Sequence, residues 1–78
     1  MKEFNRSIAK RIDKFRLQRG LSWEKLAYSA GIAKSTMSEI KQSKFEIKLS
    51  NLYKITNVLN ISVIDFLSEG IELSEFDF

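Results

Sequence analysis

No cysteine, histidine or proline occurs in the 78 residues, and there are only three glycines. Without cysteine there is neither a disulfide framework nor a thiolate zinc site to brace so short a chain. That absence is compatible with a reducing compartment. Without histidine the commonest general base, proton shuttle and transition-metal ligand are missing. The glycines stand singly at Gly20, Gly31 and Gly70, so no glycine-rich phosphate loop exists. Serines, lysines and carboxylates are present without the partners that catalysis or metal binding needs. The expectation is therefore a non-enzyme with no catalytic or metal-ligating residues, no cofactor and no small-molecule ligand. No apolar run approaches the roughly 18 residues of a membrane span. Met1–Arg6 carries charges with no apolar segment behind them, so a signal peptide is not expected either. A cytoplasmic protein without a membrane partner is the expectation.

What is present is basic charge, unevenly placed. The net charge is +3, but residues 1–48 hold twelve Lys and Arg against five acids. Residues 49–78 hold Lys54 alone against Asp65, Glu69, Glu72, Glu75 and Asp77. A basic body with an acidic tail suits a polyanion-binding surface on the first part, or equally a solvated charged surface without a partner. The length makes the chain one domain or part of one. A core this small is marginal, since a chain of roughly 60 residues buries only about 60% of its unfolded surface.

Apolar spacing predicts five helices. Ile8, Ile12 and Phe15 recur at helical spacing in a first segment from about Asn5 to Arg19, with Lys10, Arg11, Lys14 and Arg16 on its other sides. Gly20 ends it as a left-handed residue. Ser22 is a good N-cap for a second helix, although Lys25 leaves the capping box incomplete. Leu26, Ala27 and Ala30 give that helix a narrow apolar face, with small residues that admit a crossing helix. Gly31 supplies the positive φ of a tight turn, and Ile32 should plug the gap beneath it. In a third helix, about Lys34 to Gln42, Met37 and Ile40 point inward while Ser35, Ser38, Glu39 and Gln42 point outward. Its cap position, Ala33, is poor. After a loop at 43–48, Leu49, Leu52, Ile55, Val58 and Leu59 mark a fourth helix, with Asn60 as its left-handed exit. Ser62 caps a fifth, Val63 to about Glu69, which Gly70 stops. Residues 71–78 follow neither a helical nor an alternating pattern.

Two short helices hinged at Gly31, the second polar on its outer side, have the shape of a helix-turn-helix. The residues go further. Arg11-Ile12-Asp13-Lys14-Phe15-Arg16, Arg19-Gly20-Leu21-Ser22, Leu26-Ala27, Ala30-Gly31-Ile32, Ser35-Thr36-Met37-Ser38 and Ile40 are followed by Leu49, Leu52, Ile55, Leu59-Asn60-Ile61-Ser62 and Phe66-Leu67. This register resembles the Cro/C1-type (XRE-like) helix-turn-helix domain of phage and bacterial repressors, from about Ile8 to Leu67. The resemblance implies an all-α, compact five-helix, lambda-repressor-like domain over residues 1–70, with the helix-turn-helix at helices two and three. A short acidic, aromatic tail, 71–78, follows it. The implied function is sequence-specific binding of a double-stranded DNA operator by a transcriptional regulator, a repressor of phage or mobile-element type. It would act as a homodimer, at least on DNA.

In the family the start and outer face of the third helix meet base edges. Carried onto this sequence, that assigns base contacts to Lys34, Ser35, Ser38 and Glu39, types that can address guanine, either donor or acceptor, and cytosine. Backbone contacts fall to the start of helix two (Ser22, Trp23), to Thr36 and Gln42, and to the lysines around the following loop, Lys41, Lys44 and Lys48. Trp23 departs from the family, where Gln is frequent. Its indole N–H can donate to a phosphate, or the ring can be a half-packed aromatic. Relatives also pair an Arg in helix one with a Glu at the end of helix three; here Arg16 faces Lys41 instead. Arg16 should then bond backbone carbonyls or a nearby acid, with Glu39 and Glu46 as candidates, while Lys41 swings outward. Ser43 stands where the family commonly has Gly. The tail keeps a second function open, a protein-interaction module on the same fold such as an antitoxin or repressor antagonist, against the plainer reading of a frayed terminus.

Overall fold

The computed structural model describes residues 2–68, and these form α1 (Lys2–Gln18), α2 (Trp23–Ala30), α3 (Lys34–Lys41), α4 (Leu49–Val58) and α5 (Val63–Ser68). The boundaries follow the expected ones within a few residues, α1 starting earlier than Asn5. The expected stop at Gly70 and the tail 71–78 lie outside the described residues.

The helix starts depend on their caps. Ser22 adopts an extended conformation and its hydroxyl oxygen accepts the Lys25 N–H, opening α2. The Ser62 hydroxyl oxygen likewise accepts the Asp65 N–H at α5. Ala33 has no side-chain acceptor to offer, so α3 opens uncapped. The ends are alike in all of the first four helices. After α1 the Leu21 N–H reaches back to the Arg16 carbonyl, and after α2 the Ile32 N–H reaches Ala27. After α3 the Lys44 N–H reaches Glu39, and after α4 the Ile61 N–H reaches Thr56. Each is a Schellman closure, which needs one left-handed residue just beyond the helix. Gly20, Gly31, Ser43 and Asn60 fill that place, with φ of 65°, 69°, 58° and 58°. Asparagine tolerates the conformation; a serine pays roughly 1 kcal/mol or more for it. Ser43 thus keeps the turn where a glycine is usual, and its hydroxyl donates to the Asn5 carbonyl at 3.5 Å.

The apolar stripes converge on one core. Ile8, Ile12 and Phe15 from α1 meet Leu26 and Ala27 from α2, Met37 and Ile40 from α3, Leu52 and Ile55 from α4, and Phe66 from α5. Ile32 and Leu59 close it from the turns. α2 packs on both α3 and α4, and α4 on α5. Two expectations need correction. Leu49 is not in the stripe: it is 71% exposed. It sits roughly 90° around the helix from the centre of Leu52, Ile55 and Leu59. Thr56 completes that face instead, buried, with its hydroxyl donating to the Tyr53 carbonyl. Arg11 does not decorate the solvent side. It is only 8% exposed, its Nε donates to the Phe66 carbonyl at 3.1 Å, and its guanidinium lies over the Phe15 and Phe66 rings. A cation beside the last carbonyls of α5 also suits the negative end of that helix.

Candidate nucleic-acid interface

α3 presents its outer side because Met37 and Ile40 hold its inner side in the core. Ser35, Ser38 and Gln42 therefore stand exposed along one ridge. Lys34 and Lys41 flank it towards α2, where a shallow groove of about 250 Å³ also takes in Trp23, Glu24 and Ser38. Thr36 and Glu39 flank it on the other side, both half-buried. They line a groove of about 580 Å³ shared with Lys48 and Lys54. Of the four expected base-reading residues, Lys34, Ser35 and Ser38 thus share the solvent ridge and its α2 margin, while Glu39 leans towards the groove beside α4. Among the expected backbone residues, Ser22, Lys41, Gln42, Lys44 and Lys48 are exposed, and Trp23 and Thr36 are half-buried.

Two interactions on this face were not among the expected contacts. The Lys34 ammonium meets the Glu24 carboxylate at 2.7 Å, from the first residue of α3 to the first turn of α2. The hydrogen bond and charge of Lys34 hold the Glu24 carboxyl below the ordinary glutamate range, and the same contact raises the Lys34 ammonium. Both side chains are more than two-thirds exposed, so the pair is screened by water and adds little to stability. A cation at a helix N-terminus is disfavoured by the helix dipole; Glu24 supplies the compensating negative group. Further along the ridge the Gln42 amide donates to the Ser38 hydroxyl at 2.9 Å. Only a knowledge of how α2 crosses α3 would have found the first contact; the second is an i, i+4 pair that helical spacing permits.

Trp23 settles the position of Arg16 and Lys41. The Arg16 guanidinium lies over the indole at 5.2 Å and the Lys41 ammonium over it at 6.0 Å from the centroid. Arg16 also donates to the Leu21 carbonyl at 3.0 Å and pairs with Asp13 at 2.6 Å. The expectation of a carbonyl and a nearby acid holds, but the acid is Asp13 on α1 and not Glu39 or Glu46. Lys41 is exposed, as expected. An aromatic face attracts cations through its quadrupole. Trp23 thus gives Lys41 an aromatic neighbour and shares Arg16 with Asp13 and the Leu21 carbonyl.

Among the described residues no helix is long and apolar enough to cross a membrane, and no cluster of three or more acidic side chains is placed to hold a metal.

The chain matches the helix-turn-helix family over residues 12–66. It is 37% identical over 71 residues to the HTH-type transcriptional regulator SinR of Bacillus subtilis (strain 168), covering 90% of this chain and 63% of that protein. It is 37% identical over 60 residues to the HTH-type transcriptional regulator PuuR of Escherichia coli (strain K12), covering 77% of this chain and 32% of that one. The chain therefore spans less than two thirds of the length of either relative. Among solved structures, it is similar to a chain of the SinR protein/SinI protein complex, with a TM-score of 0.73 and 34% sequence identity over 90% of this chain and 67% of that one.

Proposed function

The chain belongs to the helix-turn-helix family, and from that premise we propose that it binds double-stranded DNA sequence-specifically as a transcriptional repressor. α3 enters the major groove, Lys34, Ser35 and Ser38 address base edges, and Glu39 reaches them from the flank. Ser22, Trp23, Thr36, Lys41, Gln42, Lys44 and Lys48 hold the sugar–phosphate backbone on either side. Two copies act together on half-sites about one helical turn apart, in the cytoplasm.

The observation that carries this reading is the exposed ridge Ser35–Ser38–Gln42 on a helix whose opposite side is locked into the core. The Gln42 amide bonds to the Ser38 hydroxyl and not to the body of the domain. A partner that offers better hydrogen-bond geometry can exchange those contacts without disturbing the fold. Selection from a random duplex pool tests the proposal. Recovery of a reproducible sequence with two related halves supports it; retention of duplexes with no common sequence would sink it.

A further inference from the structure

We propose that the groove between the first half of α1 and the end of α3 is a binding site for a DNA backbone phosphate, extending the interface beyond the helix-turn-helix. The inference rests on the DNA-binding reading above. The groove encloses about 320 Å³ and is lined by Arg6, Lys10 and Asp13 of α1 together with Trp23, Lys41 and Ser43. Arg6 and Lys10 are one helical turn apart, so both project from the same side of α1. Both are exposed. Asp13 is the one acid in the lining, and Arg16 holds it at 2.6 Å. Three cations therefore line the groove, and the one acid in its lining is already engaged.

The groove is also continuous with the reading face. Trp23 and Lys41 line both it and the groove beside Lys34 and Ser38. The Trp23 ring attracts the Lys41 ammonium to the boundary between the two. A strand whose bases face α3 carries its phosphates past this boundary and on towards Arg6 and Lys10. The turn at Ser43, hydrogen-bonded to the Asn5 carbonyl, fixes the end of α3 against the start of α1 and so sets the width of the opening. Arg6 and Lys10 precede residues 12–66, over which the chain matches its family.

The test compares the full chain with the double variant R6A/K10A, and with R6Q/K10Q to keep long polar side chains on the helix. Each is titrated with a duplex of about 25 base pairs recovered by selection and with an unrelated duplex, across a range of salt. Both variants should melt like the parent. They should lose affinity for the two duplexes by the same factor, leaving the preference between them unchanged. The salt slope should become shallower by about 0.9 for the one phosphate lost, so that between about 50 and about 200 mM salt the parent loses roughly three- to fourfold more affinity than the variants. Ethylation interference should show a phosphate beside the α3 footprint that matters to the parent and not to the variants. An unchanged salt slope with the same interfering phosphates overturns the site, as does a changed preference between duplexes. If the parent binds no duplex at all, the DNA-binding reading fails and the site with it; if the parent binds and the variants match it, the phosphate site alone fails.

Discussion

Trp23 divides two surfaces whose polar groups are arranged on different terms. On the α3 side the groups answer one another: Lys34 pairs with Glu24, and Gln42 donates to Ser38. On the α1 side Arg6, Lys10 and Lys41 converge on a groove whose only acid is taken by Arg16. A surface of mutually satisfied groups gives up contacts on binding and recovers them only from a partner of matching pattern, which favours discrimination. A surface of converging cations attracts any polyanion in proportion to charge, which favours affinity and speed of encounter. On the proposed reading, the α3 side selects and the α1 side holds, and each balances its own charge accordingly.

The largest test removes the footing of both sides at once. Arg11→Ala deletes a buried charged hydrogen bond and two ring contacts, and should cost about 2–3 kcal/mol. A thermal melt should fall by roughly 10–20 °C, while DNA affinity measured well below the melt stays near that of the parent. If the melt does not move, Arg11 is not the tie between α1 and α5. Next, Ser35→Ala and Lys34→Ala should each weaken the selected duplex by roughly five- to a hundredfold, the span expected for one lost base contact. Ser35→Ala should leave an unrelated duplex unaffected. Full retention of affinity by both variants would mean that α3 is not the selecting side.

A smaller effect concerns the turn that borders the α1 groove. Ser43→Gly relieves a positive φ and should raise stability by about 0.5–1 kcal/mol, read by chemical denaturation. The converse change, Gly31→Ala, meets no neighbouring atom and should be destabilising by a similar amount through φ alone. The smallest effect is a titration. Glu24 should ionise below the ordinary glutamate range by carbon-detected NMR and return to it in Lys34→Ala. The sign follows from the lowered folded value: the pair is complete above the ordinary range and is lost as pH falls through the shifted one. Exposure of both groups keeps its effect on stability negligible. An unshifted Glu24 in the parent would show that the α3 side is not internally paired in solution.

Periodicity carried most of the scaffold. Ile8, Ile12 and Phe15, or Met37 and Ile40, bury where their spacing places them, because one apolar face per helix leaves few ways to close a core. It failed at Arg11 and Leu49 for opposite reasons. A pattern of apolar and polar letters scores arginine as solvent-facing, yet its stem and flat guanidinium can lie on aromatic rings while its N–H meets a carbonyl. Leucine at a helix start scores as buried, although Leu49 stands exposed. The outward placing of Lys34, Ser35 and Ser38 was legible from the same spacing. The Glu24–Lys34 pair and the Arg6–Lys10–Lys41 groove were not, since both depend on the angles at which helices cross.

The contact between Arg11 and Phe66 has a consequence in time. Its partners stand 55 residues apart, so it closes nearly the whole length of the described chain. During synthesis, α1 can coil and α2 can meet α3 while the carbonyl and ring that receive this guanidinium are still inside the ribosome. Native-state hydrogen exchange should accordingly find α1 and α5 opening together, as one cooperative unit joining the first and last helices of the described residues.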